Sequence, residues 1–107
     1  MTLTLDPYQE RLLNWKLKQN IVLQIFLNAW WNASTDEREE IGYTIATMNG
    51  KKVLRDPDNQ IAAELAAHGN VFRVVWFRSF QDYQEIDRLG QLHTKRETAQ
   101  IGRTKAR

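Results

Sequence analysis

The chain has no cysteine, two histidines, two prolines and two serines, and no long unbroken apolar run. Each scarcity removes a class of chemistry. Without cysteine there is no disulfide, no thiolate nucleophile and no cysteine-based zinc site, which suits a reducing, cytoplasmic setting. His68 and His93 stand far apart without metal-ligand spacing, so neither a metal nor any other cofactor is expected. Ser34 reads as a helix cap and Ser79 as mid-helix, and no H-E-x-x-H, P-loop, G-x-S-x-G or Rossmann glycine pattern occurs. These absences argue against an enzyme. Residues 21–27 form the best apolar run, but Gln24 interrupts it, and a membrane span needs about 20 such residues. The opening Met-Thr-Leu-Thr-Leu-Asp-Pro lacks the basic and apolar regions of a signal peptide.

What is present is a single domain's worth of chain: 107 residues, 42% hydrophobic, with four tryptophans, four phenylalanines and three tyrosines. Such a composition supports one packed core and excludes a wholly disordered chain. The net charge of +2 is unevenly placed. Lys95, Arg96, Arg103, Lys105 and Arg107 face only Glu97 in residues 94–107, and the preceding residues carry ten basic against twelve acidic groups. The sequence thus divides into a domain over 1–93 and a basic C-terminal tail over 94–107. A basic tail on a near-neutral body points to a polyanionic partner or to a solvated terminus.

Capping signals predict an all-α fold, a compact bundle of four helices near 7–32, 35–48, 57–68 and 71–92. Asp6-Pro7 with Gln9 forms one capping box and Ser34 with Glu37 another. Asp36, Glu37, Glu39 and Glu40 suit the positive end of the second helix dipole. Asn49-Gly50 is expected to stop that helix, Asp56-Pro57 to start the third, and Gly69-Asn70 to join the third to the fourth. The apolar residues 71–77 also suit a β-strand, but no second strand of similar quality is evident to pair with them. The expected core is Leu12, Trp15, Val22, Phe26, Ile41, Ile45, Leu65, Val75, Trp76, Phe80 and Tyr83. Leu13, Leu17, Ile21 and Ile25 are expected to widen the buried face of the first helix, and Gly90 to bend or end the last.

The polar side of the first helix is unusual. Lys16, Asn20, Gln24, Asn28 and Asn32 recur every fourth residue, and amides both donate and accept hydrogen bonds. Such a row suits solvent, phosphates, base edges or a partner helix. Lys51, Lys52 and Arg55 add a short basic segment, a candidate phosphate contact or an ordinary exposed loop. Asn28, Trp30 and Trp31 are candidates for partner binding, because exposed tryptophan is enriched at interfaces.

No family is identified by specific residues. In general character, being small, helical, cysteine-free and basic at its edges, the chain is similar to the small helical subunits of CRISPR interference complexes, and equally to many phage and plasmid accessory proteins. Together with the basic tail, the Lys51-Lys52-Arg55 segment, the amide row from Lys16 to Asn32 and the absence of catalytic groups, this favours a non-catalytic, nucleic-acid-binding subunit of a larger nucleoprotein complex. Its expected contacts are Lys16, Asn20, Gln24, Lys51, Lys52, Arg55 and the five basic tail residues, with DNA or RNA held through phosphates and other protein subunits alongside. The alternatives are a protein–protein interaction module, such as an adaptor, an inhibitor or a self-associating subunit, and a helix-turn-helix regulator built around residues 61–78.

Overall fold

Asp6 and Ser34 cap helices as their spacing predicts. In the computed structural model, which describes the backbone of residues 6–105 and the side chains of residues 6–94, helix α1 spans Pro7–Trp31 and helix α2 spans Thr35–Ile41. The Asp6 side chain accepts from the Gln9 N–H and the Ser34 side chain from the Glu37 N–H, and each box is closed by the reciprocal bond. Agreement with the expected bundle ends at Gly42, which terminates α2 in the left-handed conformation at φ +80°.

The next four elements are strands: β1 (Thr44–Met48), β2 (Lys51–Arg55), β3 (Ile61–His68) and β4 (Val71–Phe77). They form one antiparallel meander in the order β1-β2-β3-β4. Helix α3 (Phe80–Lys105) follows. The fold is therefore α+β rather than all-α: residues 61–68 of the expected helix over 57–68 and residues 71–77 of the expected helix over 71–92 are strands. So is the second half of the expected helix over 35–48. The turn residues explain the difference. Asn49 and Gly50 both have positive φ, at 52° and 78°, which is the two-residue hairpin turn that follows the twist of its strands. Gly69 at φ 65° precedes Asn70 in a second two-residue turn, closing the His68↔Val71 pair. Residues 61–78 thus hold a hairpin where a helix-turn-helix was considered. The partner strand of residues 71–77 is the alanine-rich β3, whose helical propensity is overridden by pairing on both sides.

Alternation along the strands gives the sheet two unlike faces. Leu54, Ala63, Leu65 and Val74 lie on one and are buried against the helices; they join Val22, Leu23, Phe26, Leu27 and Trp30 of α1 and Ile86 and Leu89 of α3 in one core. The two helices run in the same direction, since Trp15 meets Tyr83 near their starts while Phe26 meets Gly90 further along. Of the expected core, Val22, Phe26, Ile41 and Leu65 are buried and Trp15, Ile45 and Tyr83 half-buried. Leu12, Val75, Trp76 and Phe80 are exposed instead. Val75 is the extra residue of a β-bulge, because Leu65 pairs with Val74 and Glu64 with Trp76. A bulge rotates the residues that follow it, so no simple periodicity finds which of them are buried.

Candidate interaction surfaces

A strand at the edge of a sheet presents unpaired N–H and C=O groups that invite another chain. On β4 this edge is occupied from within. Lys16 Nζ donates to the carbonyls of Val74 and Val75 at 3.1 and 2.9 Å, straddling the bulge. Asn20 Oδ1 accepts from the Val74 N–H at 2.8 Å, and Gln24 Nε2 donates to the Phe72 carbonyl at 2.5 Å. Three of the five members of the row, expected to meet phosphates, thus meet a strand. Four helical residues rise about 6 Å, close to the rise of two strand residues, which places one polar group near every second strand residue. Amides can serve both the N–H and the C=O of that edge. Asn28 and Asn32 lie past the strand and are exposed, with the Asn32 side-chain amide donating to the Asn28 carbonyl.

A second polar cluster ties the β2–β3 loop to the start of α3. Arg78 grips Asp82 with Nε and Nη2, both at 2.9 Å, and reaches Asp56 with Nη2 at 2.8 Å. Ser79 caps α3: its hydroxyl accepts from the Asp82 N–H and donates to Asp82 Oδ2. It is therefore not mid-helix. Tyr43 donates from below to Asp82 Oδ1. Backbone N–H groups of Gln60 and Asp58, together with Arg78, hold Asp56 below the usual carboxylate range. Arg78 and Ser79 do the same for Asp82. Burial, reinforced by Asp82, pushes Tyr43 up to about 12. General acid–base work favours groups that titrate near the working pH, and this cluster moves its carboxylates and its phenol away from neutrality. The cleft beside it, about 350 Å³ in volume, is walled by a clasp.

The remaining surfaces are apolar or basic. Leu13, Leu17 and Ile21 are 57%, 58% and 50% exposed, contrary to their expected burial. The signal was present in the sequence: Leu17 and Phe26 are nine residues apart, about two and a half turns, and so point in opposite directions. From Gln19 to Thr35 the chain carries no charged residue. The outward side of α1 therefore continues as Asn28 and Trp31, both exposed. Trp30 is buried and donates from Nε1 to the Tyr43 carbonyl, and its ring meets that of Trp31 edge-on with centroids 4.8 Å apart. Arg38 stacks over its ring at 3.9 Å. Leu12, Val75 and Trp76 line a second cleft of about 380 Å³ between α1 and the end of β4.

The sheet face turned away from the helices carries Lys51, Arg55, Glu64, Arg73 and Trp76. Glu64 pairs with Lys51 at 3.9 Å and accepts from the Trp76 indole, and Arg55 Nη2 reaches Met48 Sδ. Lys52 points to the other face, where its Nζ donates to Thr47. The basic segment is thus a strand, and alternation divides its charges. The side chains of Lys95, Arg96, Arg103 and Lys105, and the whole of Arg107, lie outside the described residues. His68 is exposed at the end of β3, whereas His93 is buried with its Nδ1 3.7 Å from Glu37 Oε2. Among the described residues no group of histidines and carboxylates is arranged to hold a metal ion, and no helix is long and apolar enough to cross a membrane.

No known protein family, curated protein or solved structure matches the chain. Of the features behind the likeness to small helical CRISPR subunits, the all-helical character is removed by the four-stranded sheet.

Proposed function

We propose that the chain is a non-catalytic, cytoplasmic protein-interaction module whose working surface is the outward face of α1. One observation carries this reading: Leu13, Leu17 and Ile21 stand exposed, one turn apart, on a helix that itself carries no charged residue from Gln19 through Trp31. Solvated helix faces are normally charged, and contiguous exposed apolar surface marks interaction sites in soluble proteins. The polar groups that would suit nucleic acid on this helix, Lys16, Asn20 and Gln24, are engaged by β4. A photo-reactive amino acid at position 17, in the full chain at native abundance in its host, tests the proposal. One discrete cross-linked adduct is expected, absent when the probe stands at Glu39 on α2. No adduct at position 17, or the same adducts from both positions, overturns it.

A second reading is nucleic-acid binding within a larger complex. It is supported by Lys51, Arg55 and Arg73 on one sheet face with Trp76, and by the basic residues of 94–107. Phosphate contacts release counterions, so binding would weaken steeply with salt, and bases could stack on Trp76. Titration with single- and double-stranded DNA and RNA at roughly 50 mM salt checks it. Binding that Lys51→Glu with Arg73→Glu abolishes supports this reading, and no binding at low salt removes it.

A further inference from the structure

We propose that the outer edge of β1 takes up an extended acidic peptide, added antiparallel as a fifth strand of the sheet. This stands independently of the α1 face, because α1 lies along β4 at the opposite edge.

The hairpin turn fixes which groups the edge presents. A two-residue turn at Asn49-Gly50 makes Met48↔Lys51 a hydrogen-bonded pair, and Ala46↔Val53 and Thr44↔Arg55 follow by alternation. Ile45 and Thr47 fall between them, so their N–H and C=O groups point away from β2. Among the described residues no helix, loop or side chain bonds to these four groups. They repeat at about 7 Å, the spacing of alternate residues in a neighbouring strand. An extended polypeptide matches both the donors and the acceptors. A phosphate backbone is made of acceptors and leaves the two carbonyls unmatched.

The two edges of the sheet are built differently. β4 carries Arg73, a bulge at Val75 and the bonds from Lys16, Asn20 and Gln24, all of which obstruct strand addition. β1 has no charged residue, no proline and no bulge.

Charge beside β1 selects the occupant. Lys52 Nζ lies 2.7 Å from the Thr47 hydroxyl on the helix side of the sheet, and Arg55 Nη2 lies 3.1 Å from Met48 Sδ on the other side. Among the described residues neither cation is in an ion pair, whereas Lys51 is held by Glu64. A second copy paired about Ala46 would bring Lys52 towards Lys52 on one face and Arg55 towards Arg55 on the other. No acidic residue on β1 or β2 would offset them. Two consecutive acidic residues, opposite Met48 and Thr47, point to opposite faces and so meet one cation each. At its other end the edge opens into a cleft of about 500 Å³ whose walls include Trp30, Gly42, Thr44 and Pro57. It has room for an apolar side chain further along the same peptide. Arg38 and Glu39 both line this cleft, so that end favours neither sign of charge.

The test adds a synthetic peptide, Glu-Glu-Val-Thr-Val-Leu-Thr blocked at both ends, to the full chain at about 1 mM, a level suited to weak strand pairing. Amide exchange at Ile45 and Thr47 should slow at least threefold, and exchange at Val74 should not change. The same peptide with lysine for glutamate, or with N-methyl groups on alternate residues, should have no such effect. Lys52→Glu should lose the response to the glutamate peptide and gain one to the lysine peptide, a gain that also shows the variant to be folded. No slowing with the glutamate peptide, or equal slowing by both peptides, overturns the inference. Slowing that appears without peptide as the chain is concentrated assigns the edge to a second copy and overturns it equally. None of these results bears on the α1 face, which the position-17 probe tests separately.

Discussion

Gly90 of α3 sits against the backbone of Phe26 in α1, so closely that a methyl group on it would stand 3.1 Å from both the Cα and the N of Phe26. The residue expected to bend or end the last helix is instead the point where two helices touch. Gly90→Ala must push backbone apart, and overpacking of this kind costs about 1–3 kcal/mol. Gly50→Ala is the contrast: no atom lies within 4 Å of its added methyl, and its penalty, about 1–2 kcal/mol, comes from the positive φ alone. Urea denaturation of both variants, with α1–α3 distances measured between spin labels, should show displacement of the helices in Gly90→Ala only.

The edge clasp predicts a local effect. Asn20→Leu removes the acceptor for the Val74 N–H and leaves that donor unsatisfied, at a cost of about 1–3 kcal/mol. Hydrogen exchange should show Val74 protected in the parent chain and faster by an order of magnitude or more in the variant. Unchanged exchange at Val74 would show that Asn20 does not guard this edge.

Burial ranks two aromatic and aliphatic truncations against sequence expectation. Phe80 is 58% exposed, with its ring centroid 5.7 Å from that of Trp15 and 5.5 Å from that of Tyr83. Phe80→Ala should therefore cost about 1.5 kcal/mol or less. Leu54 is fully buried, and Leu54→Ala should cost about 2–5 kcal/mol. A larger loss for Phe80 than for Leu54 in equilibrium unfolding would contradict this packing.

Tyr43 sets an alkaline limit. Its folded-state value, about 12, exceeds the ordinary 10.0, so the neutral phenol is favoured by folding. The associated stability is complete below pH 10 and is lost as pH rises from 10 through about 12. Asp56 and Asp82 act in the opposite sense: both are held below their ordinary 3.8, so their contribution is present above that value and lost as pH falls below it. Thermal melts across pH 9–12 should therefore fall less steeply for Tyr43→Phe than for the parent chain, and melts below pH 4 less steeply for Asp82→Asn.

Local chemistry was fully legible in the sequence where a short stretch completes its own hydrogen bonds. The caps at Asp6 and Ser34, and with them the starts of α1 and α2, depend on groups three residues apart, so no distant contact can alter them. The leucine stripe was expected to be buried and is exposed, although helix geometry alone sets Leu17 opposite Phe26. The sheet was not legible. Asn49-Gly50 ends a helix and turns a hairpin with the same left-handed conformations, and only the strands on either side decide which. Residues 61–67 have the composition of a helix, and become β3 because β2 and β4 supply hydrogen bonds that a lone segment lacks. The uses of Lys16, Asn20 and Gln24 were decided at the same level. Their spacing fixes them in one row on α1. That the row faces a strand edge more than fifty positions later in the chain for Lys16 and Asn20, rather than a phosphate backbone, follows from where the meander ends, which is a property of the assembled sheet and of no single segment.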